Sequence, residues 1–339
     1  MSIRFEGNVG IGDQPSITIA LVGQPNVGKS TVFNMLTGLS QHVGNWPGKT
    51  VEFKIGTLKV DQTQIRLVDL PGIYSLTANS EEEKLARDYI IREKPDLIIV
   101  IVNAASLERN LYLVAELLAL DVPLVVGLNM IDVADQQGFK IDEKVLQAAL
   151  GFPVIPLIAS KNQGLKTLIT TGKDCVVKGD PFIPNRPQIP SELQQVFKEV
   201  ETFLKDVVPS PYQSDWVALK LLEGDREIIN RVKIEFPEQW QQVRGILSEN
   251  EDAILSITKI RYEWIERMVR AAVHRPRPGK IMLTDRLDRF ATHPFWGLFL
   301  LLAIFGVVFF LTYSIAAPIA EWLQLRLVIP AAMLMDTLL

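Results

Sequence analysis

Gly23-Gln24-Pro25-Asn26-Val27-Gly28-Lys29-Ser30 decides the fold of this chain. It matches the G-x-x-x-x-G-K-[ST] phosphate-binding loop, and both flanks suit that reading. Ile17 to Val22 is a short, apolar, β-branched run, as a buried parallel strand requires, and Thr31 to Leu39 carries the spacing of a helix. Gly23 and Gly28 let backbone N–H groups converge on phosphate oxygens, and the helix start adds partial positive charge. The cradle takes in Gln24, Pro25, Asn26, Val27 and Thr31. In such a loop Lys29 reaches the β and γ phosphates, and Ser30 places its hydroxyl on a magnesium ion that bridges them.

Working outward, Gln41 to Thr50 is rich in turn formers and lacks periodicity, which predicts a mobile loop. It ends in Gly48-Lys49-Thr50, where a first switch brings a second hydroxyl and a backbone N–H to magnesium and the γ phosphate. Trp46 reads as a packed loop aromatic and His42 as a solvated imidazole. Phe53 to Val60 and Gln64 to Val68 alternate around a tight turn, predicting an antiparallel pair that runs into Asp69-Leu70-Pro71-Gly72. In this D-x-x-G, Asp69 holds magnesium through water and the Gly72 N–H senses the γ phosphate. Ile73 to Glu83 is then the second switch.

Two more apolar runs follow, Leu97 to Val102, with a helix expected through Leu120, and Leu124 to Leu128, which ends at Asn129-Met130-Ile131-Asp132. A carboxylate at Asp132 accepts from guanine N1–H and the exocyclic amine, whereas adenine leaves it unsatisfied. Asn129 braces the neighbouring loops. Val154 to Ile158 predicts one more strand before Ala159-Ser160-Lys161, where a backbone N–H meets the guanine O6. Strand, helix and motif alternate, so a mostly parallel sheet carries helices on both faces and the ligand at its carboxyl edge.

These five elements in order resemble the small GTP-binding proteins. Ile73 departs from the water-orienting glutamine of Ras-like enzymes, so slow hydrolysis is expected unless something else assists. Asn26 is the residue that, in the GTPases this chain resembles, helps hold potassium against the phosphates, with carbonyls from Gly44 and Trp46 added. Met130 replaces the usual lysine of N-K-x-D, keeping an alkyl stem over the base without its ammonium.

At 339 residues the chain exceeds one ordinary domain. A net charge of −4 argues against a nucleic-acid surface, and the single Cys175 excludes an internal disulfide or a cysteine-cluster metal site. Met1 to Gln14 lacks an apolar core and reads as a flexible lead-in, not a signal peptide. Four prolines between Asp180 and Pro190 mark a linker; Ser191-Glu192-Leu193-Gln194 reads as a capping box, and helical patterns follow with Trp216, Trp240 and Trp264 as core. Arg275, Arg277, Lys280, Arg286 and Arg289 precede an uncharged stretch, Pro294 to Ala320. Phe295 to Ala317 suffices to cross a bilayer core of roughly 30 Å, with the basic side cytoplasmic. Leu327 to Leu339, broken by Pro330, is either interfacial or the start of a second span.

The expected fold class is therefore α/β: a P-loop, small-GTPase-like domain, then an all-helical domain and one transmembrane helix. The expected divisions are a lead-in (1–15), GTP-binding domain (16–175), linker (176–190), helical domain (191–273), basic segment (274–294), span (295–317) and terminal segment (318–339). With Asn-Trp-Pro-Gly-Lys-Thr as first switch and Asp-Leu-Pro-Gly-Ile-Tyr-Ser-Leu as second, nearly the whole chain resembles the ferrous iron transport protein B (FeoB) family.

That resemblance implies GTP and GDP as ligands, Mg2+ and K+ as cofactors, and a helical domain like a guanine-nucleotide dissociation inhibitor. It implies an inner-membrane location and a partner in the remaining FeoB membrane domain or a separate pore subunit, and it leaves a homo-oligomer open. One span makes no ion pathway, so a fragment, a truncated product or a piece of a split transporter is expected. The rival reading is a membrane-tethered regulatory GTPase that transports nothing. No residue here reads as an iron ligand.

Overall fold

The structure, a computed structural model, describes residues 16–38, 40–45, 52–77, 80–179, 183–274, 290–293 and 295–329. The N-terminal lead-in, Trp46, Gly48, Lys49 and Thr50, the basic cluster from Arg275 to Arg289, and Pro330 onward lie outside the described residues.

Strand β1 (Ser16–Gly23) leads into helix α1 (Lys29–Thr37) through the phosphate loop. Next come β2 (Gln41–Asn45), β3 (Glu52–Val60) and β4 (Thr63–Asp69), then helix α2 (Glu81–Glu93). The pattern continues through β5 (Leu97–Asn103), α3 (Leu107–Leu117), β6 (Leu124–Asn129), α4 (Ile131–Gln136), β7 (Lys140–Ile141), α5 (Glu143–Leu150), β8 (Val154–Pro156) and α6 (Leu165–Lys178). The main sheet runs β2-β3-β4-β1-β5-β6-β8. β1 pairs parallel with β4 and β5, β5 with β6, and β6 with β8, while β3 is antiparallel to both β2 and β4. Both faces of β5 are covered, which explains its unbroken apolar run.

The structure corrects the sequence reading in four places. Residues 41–45, expected in a mobile loop, form the edge strand β2, with His42 opposite Ile55 and Gly44 opposite Phe53. Backbone pairing alone makes this edge, so no apolar alternation marks it. β8 stops at Pro156 instead of Ile158: Leu157 N–H still donates to Leu128 O at 2.8 Å, after which Ile158 pairs with Gln163 in a separate bridge. α3 ends at Leu117, three residues early. The capping box does not form either: Ser191–Leu193 is a 3-10 turn, Ser191 Oγ donates to Glu192 Oε2, and the next helix starts at Gln194 without a side-chain cap.

One face of the sheet packs Ile19, Leu21, Leu67 and Ile99 against Phe33 of α1 and Leu168 of α6. The other buries Val22, Val68, Val100 and Leu128 against α2, α3 and α5, and this core continues into helices α7 (Gln194–Leu204), α8 (Ser214–Leu222), α9 (Arg226–Glu235), α10 (Pro237–Glu249) and α11 (Ala253–Ala272). Trp216 and Trp264 are fully buried in it, and Trp240 packs at its margin. Each buried indole removes on the order of 200 Å² from water. The chain up to Arg275 is accordingly one compact unit.

Two features stitch the helical part down. In the proline-rich stretch, Asn185 N–H donates to Leu150 O at 2.9 Å and Asn185 Nδ2 to Ala149 O at 3.0 Å. Gly151 has φ 78°, and a Cβ there would sit 2.1 Å from Ile183 O, so only glycine fits that passage. At the far end β9 (Val273–His274) pairs antiparallel with β7, and Asp142 N–H donates to Ala272 O at 2.9 Å.

The second unit, Pro276–Leu339, contains an apolar helix, Trp296–Leu327, of 32 residues and mean hydropathy 2.6, with none of its apolar window buried. It is α-helical over Trp296–Leu311 and Ala317–Leu323, with wider π turns at Thr312–Ala316 and Gln324–Val328.

Candidate functional site

The phosphate loop owes its shape to left-handed residues and close approaches. Asn26 has φ 64° and Gly28 φ 87°. A Cβ at Gly28 would meet Asn129 Nδ2 at 2.4 Å, and one at Gly23 would meet Ile101 O at 2.7 Å. Gln24 is buried and donates through Nε2 to Arg109 O at 2.9 Å; Val27 is buried, Pro25 half-buried, and Asn26, Ser30 and Thr31 are exposed. Val32 N–H donates to Gly28 O at 3.0 Å, which begins α1 directly beneath the loop.

Lys29 Nζ donates to Asp69 Oδ1, joining the end of β4 to the loop. Both side chains are under 10% exposed. The cation suited to phosphate and the carboxylate suited to magnesium thus share one spot at the carboxyl edge of the parallel strands. Gly72 lies against Pro25, where a Cβ would come within 3.2 Å of backbone, and Ile73 N–H donates to Gly23 O at 3.1 Å. Ile73 is fully buried, so it presents nothing to a water nucleophile. Tyr74 N–H donates to Glu83 Oε1 at 3.2 Å, and the Tyr74 ring carries the Arg109 guanidinium 4.9 Å from its centroid.

Asn129 joins two loops at the end of β6. Its Nδ2 donates to Val27 O at 2.9 Å, and its Oδ1 accepts from Ala159 N–H at 3.0 Å. Met130 is left-handed, with φ 60°, and turns the chain into α4. Asp132 Oδ1 accepts from Val133 N–H at 3.1 Å, and Oδ2 accepts from Lys161 Nζ at 3.1 Å. Ala159–Lys161 is a 3-10 turn with Ser160 and Lys161 exposed. Gly44 sits in β2 at the sheet edge. The structure therefore gathers Gly23 through Thr31, Asp69, Gly72, Asn129, Met130, Asp132, Ala159, Ser160 and Lys161 on the loops at one edge. Gly48, Lys49, Thr50 and Trp46 fall outside the described residues.

Sequence reasoning overlooked the buried ions behind the second switch, Arg87, Glu116, Lys220 and Arg261. A signal existed. Glu116 interrupts Leu113-Val114-Ala115 and Leu117-Leu118, and Lys220 interrupts Trp216-Val217-Ala218-Leu219 and Leu221-Leu222. A single charge inside such a run is buried with a partner.

Comparison with known proteins agrees with this geometry. The family described as Ferrous iron transport protein B matches residues 17–171, and the FeoB cytosolic helical domain matches residues 190–274. The Fe(2+) transporter FeoB of Staphylococcus aureus (strain COL) is 33% identical over 310 residues, covering 90% of this chain and 46% of the relative. That of Methanocaldococcus jannaschii is 38% identical over 327 residues, covering 91% and 47%. The chain thus spans about half the length of these curated relatives.

Among solved structures, the cytosolic domain of L. pneumophila FeoB has TM-score 0.68 at 33% identity, covering 76% of this chain and all of that one. The cytosolic domain of the T. maritima FeoB iron transporter in a GDP form has TM-score 0.68 at 35% identity, covering 78% of this chain and all of that one. With both family profiles in their expected order on a phosphate-loop α/β fold and its helical extension, the chain belongs to the ferrous iron transport protein B family.

Proposed function

We propose that this chain is the GTP-binding and GTP-hydrolysing cytoplasmic module of a membrane transporter whose substrate is ferrous iron. The observation that carries the reading is the convergence of Lys29, Asp69, Gly72 and Asn129 on one phosphate loop. Lys29 stabilises charge on the β and γ phosphates, the loop N–H groups fix the phosphate chain, and the Gly72 N–H registers the γ phosphate. Asp132 accepts from the guanine edge. Lys161 supplies beside it the ammonium that Met130 lacks.

The hydroxyl of Ser30 and the carboxylate of Asp69 are hard oxygen donors at the phosphate edge, which suits magnesium. Thr50 completes that set. Bound there, magnesium would neutralise phosphate charge. Because Ile73 is buried and apolar, the water nucleophile is left to other groups, and phosphate charge needs another cation. Asn26 is exposed on the loop; in this reading it would hold potassium, with carbonyls of Gly44 and Trp46.

The apolar helix Trp296–Leu327 supports a membrane setting. At 1.5 Å per residue it is longer than a bilayer core of roughly 30 Å, and the basic segment before it favours a cytoplasmic nucleotide unit.

The cation claim is tested by steady-state GTP hydrolysis in potassium and in sodium. Hydrolysis is expected to fall in sodium by about 10-fold or more, on the scale of losing a charge at the phosphates. Asn26→Ala is expected to show the low rate in both salts. Equal rates in the two salts would remove potassium from the account while leaving guanine binding standing.

A further inference from the structure

A cavity of about 820 Å³ opens between the second switch, α3 and α11, inside the range of roughly 300–1,000 Å³ that holds small molecules. Its lining is rich in rings. Tyr74, Tyr112, Phe139 and Tyr262 all contribute, and the Tyr112 and Tyr262 rings lie 5.6 Å apart between centroids, tilted by 42°. Tyr74 and Tyr262 are 45% and 56% exposed, so aromatic surface that a flat ligand would cover stands in water.

The charges around the cavity select the ligand. Arg109 lies 4.9 Å from the Tyr74 centroid and Arg261 5.3 Å from that of Tyr112, so two of the four rings already carry a guanidinium and a cationic ligand would meet like charge. Arg261 is fully used. It lies 3.5 Å from Glu116 Oε1, bonds Glu223, and donates to the Tyr112 hydroxyl oxygen at 3.2 Å. Lys220 Nζ on α8 closes this group, 3.1 Å from Glu116 Oε1 and 2.8 Å from Glu223 Oε2, and all four ionised side chains are at most 7% exposed. Burial pushes the Glu116 carboxyl up, but Lys220 and Arg261 outweigh it and hold it below the ordinary glutamate value. Burial likewise pushes the Lys220 ammonium down, and Glu116 and Glu223 more than reverse that. Two cations and two carboxylates therefore cancel.

Arg109 differs. Among the described residues the arginines in ion pairs are Arg87, Arg186, Arg231, Arg261 and Arg270, and Arg109, exposed on α3, has no carboxylate. One unpaired guanidinium matches one carboxylate, to which its planar fork donates two hydrogen bonds. A phosphate dianion fits less well, since its second charge would have no partner and Glu108 stands on the same lining.

We propose that this cavity is a binding site for a small planar aromatic carboxylate, with the ring among Tyr112, Phe139 and Tyr262 and the carboxylate paired with Arg109. The site is separate from that of the nucleotide, because Lys29, Asn129 and Asp132 take no part in its lining, and the inference does not rest on the nucleotide reading. An occupant would touch the second switch at Tyr74 and reach the phosphate loop through the hydrogen bond from Gln24 to Arg109 O.

The test is equilibrium dialysis of 2-naphthoate against the detergent-solubilised full chain, with equal detergent in both chambers so that partition into micelles cancels. Saturable binding of about one molecule per chain is expected, as one unpaired guanidinium takes one carboxylate. Arg109→Gln is expected to weaken it by about tenfold or more, the effect of losing hydrogen bonds to a charged group. The fold is kept, since the side chain is exposed and the carbonyl that holds Gln24 belongs to the main chain. Tyr262→Ala is expected to weaken binding by roughly twofold to tenfold, the scale of one aromatic contact. 2-Naphthamide, with the same rings and no charge, is expected to bind as weakly to wild type as 2-naphthoate does to Arg109→Gln. The inference is overturned by an absence of saturable binding, by equal binding to wild type and Arg109→Gln, or by 2-naphthamide matching 2-naphthoate. Tighter binding of 2-naphthyl phosphate than of 2-naphthoate would overturn the choice of a carboxylate.

Discussion

Replacing Lys29 by methionine is expected to lower GTP hydrolysis by roughly 10²- to 10³-fold, the usual effect of removing one preorganised charge from a transition state. The side chain is 9% exposed and its ammonium meets Asp69 at the end of β4, so its charge acts in a low-dielectric pocket where it counts most. Methionine keeps the stem and removes the charge. The substitution also strands the Asp69 carboxylate, a separate penalty to stability that confuses a rate measurement. Thermal unfolding of Lys29→Met beside Lys29→Met/Asp69→Asn measures that penalty, and hydrolysis is read on Lys29→Met at a temperature where it is folded. The double variant is expected to regain thermal stability. Wild-type hydrolysis by folded Lys29→Met would show that Lys29 serves the fold and not the phosphates.

Lys220→Met is expected to destabilise the compact unit by about 3–5 kcal/mol, the scale for removing one partner of a fully buried ion pair. Glu116 and Glu223 would then share a desolvated site with Arg261 alone. Adding Glu116→Gln is expected to return part of the loss, and a denaturant-unfolding cycle over the two positions measures the coupling. The pH dependence has a definite sign. Glu116 is held below its ordinary value, so its contribution is full above the usual glutamate range and fades as pH falls through the lowered one. Lys220 is held above its ordinary value, so its contribution is full below the usual lysine range and fades as pH rises through the raised one. Neutral pH lies inside both windows. A loss of about 1 kcal/mol or less, typical of an exposed pair, would contradict the buried arrangement.

The phosphate loop, both carboxylate motifs and the parallel core were legible because each combines fixed residue spacing with an apolar run of the right length. The convergence of Asn129 on Val27 and Ala159 followed from the same order of motifs, although its distances did not. β2 was hidden, since an edge strand held by backbone pairing to β3 alone shows turn residues and no alternation. The quartet around Lys220 was hidden for another reason. Glu116, Lys220, Glu223 and Arg261 are separated by as many as 145 positions along the chain, and only the packing of α8 and α11 onto α3 makes them neighbours. Their one trace in the sequence was a lone charge within each of two apolar runs.

Guanine recognition is the central claim, and its direct test is equilibrium binding of GDP and ADP to the full chain, with Asp132→Asn as control and xanthosine diphosphate as third ligand. Asp132 is already held by Val133 N–H and by Lys161, with its carboxylate fixed at the edge where a base would lie. GDP is expected to bind on the order of 10⁴-fold more tightly than ADP, as a site built on paired hydrogen bonds discriminates, and Asp132→Asn is expected to transfer the preference to xanthosine diphosphate. Equal affinity for GDP and ADP, or a GDP preference untouched by Asp132→Asn, would contradict it.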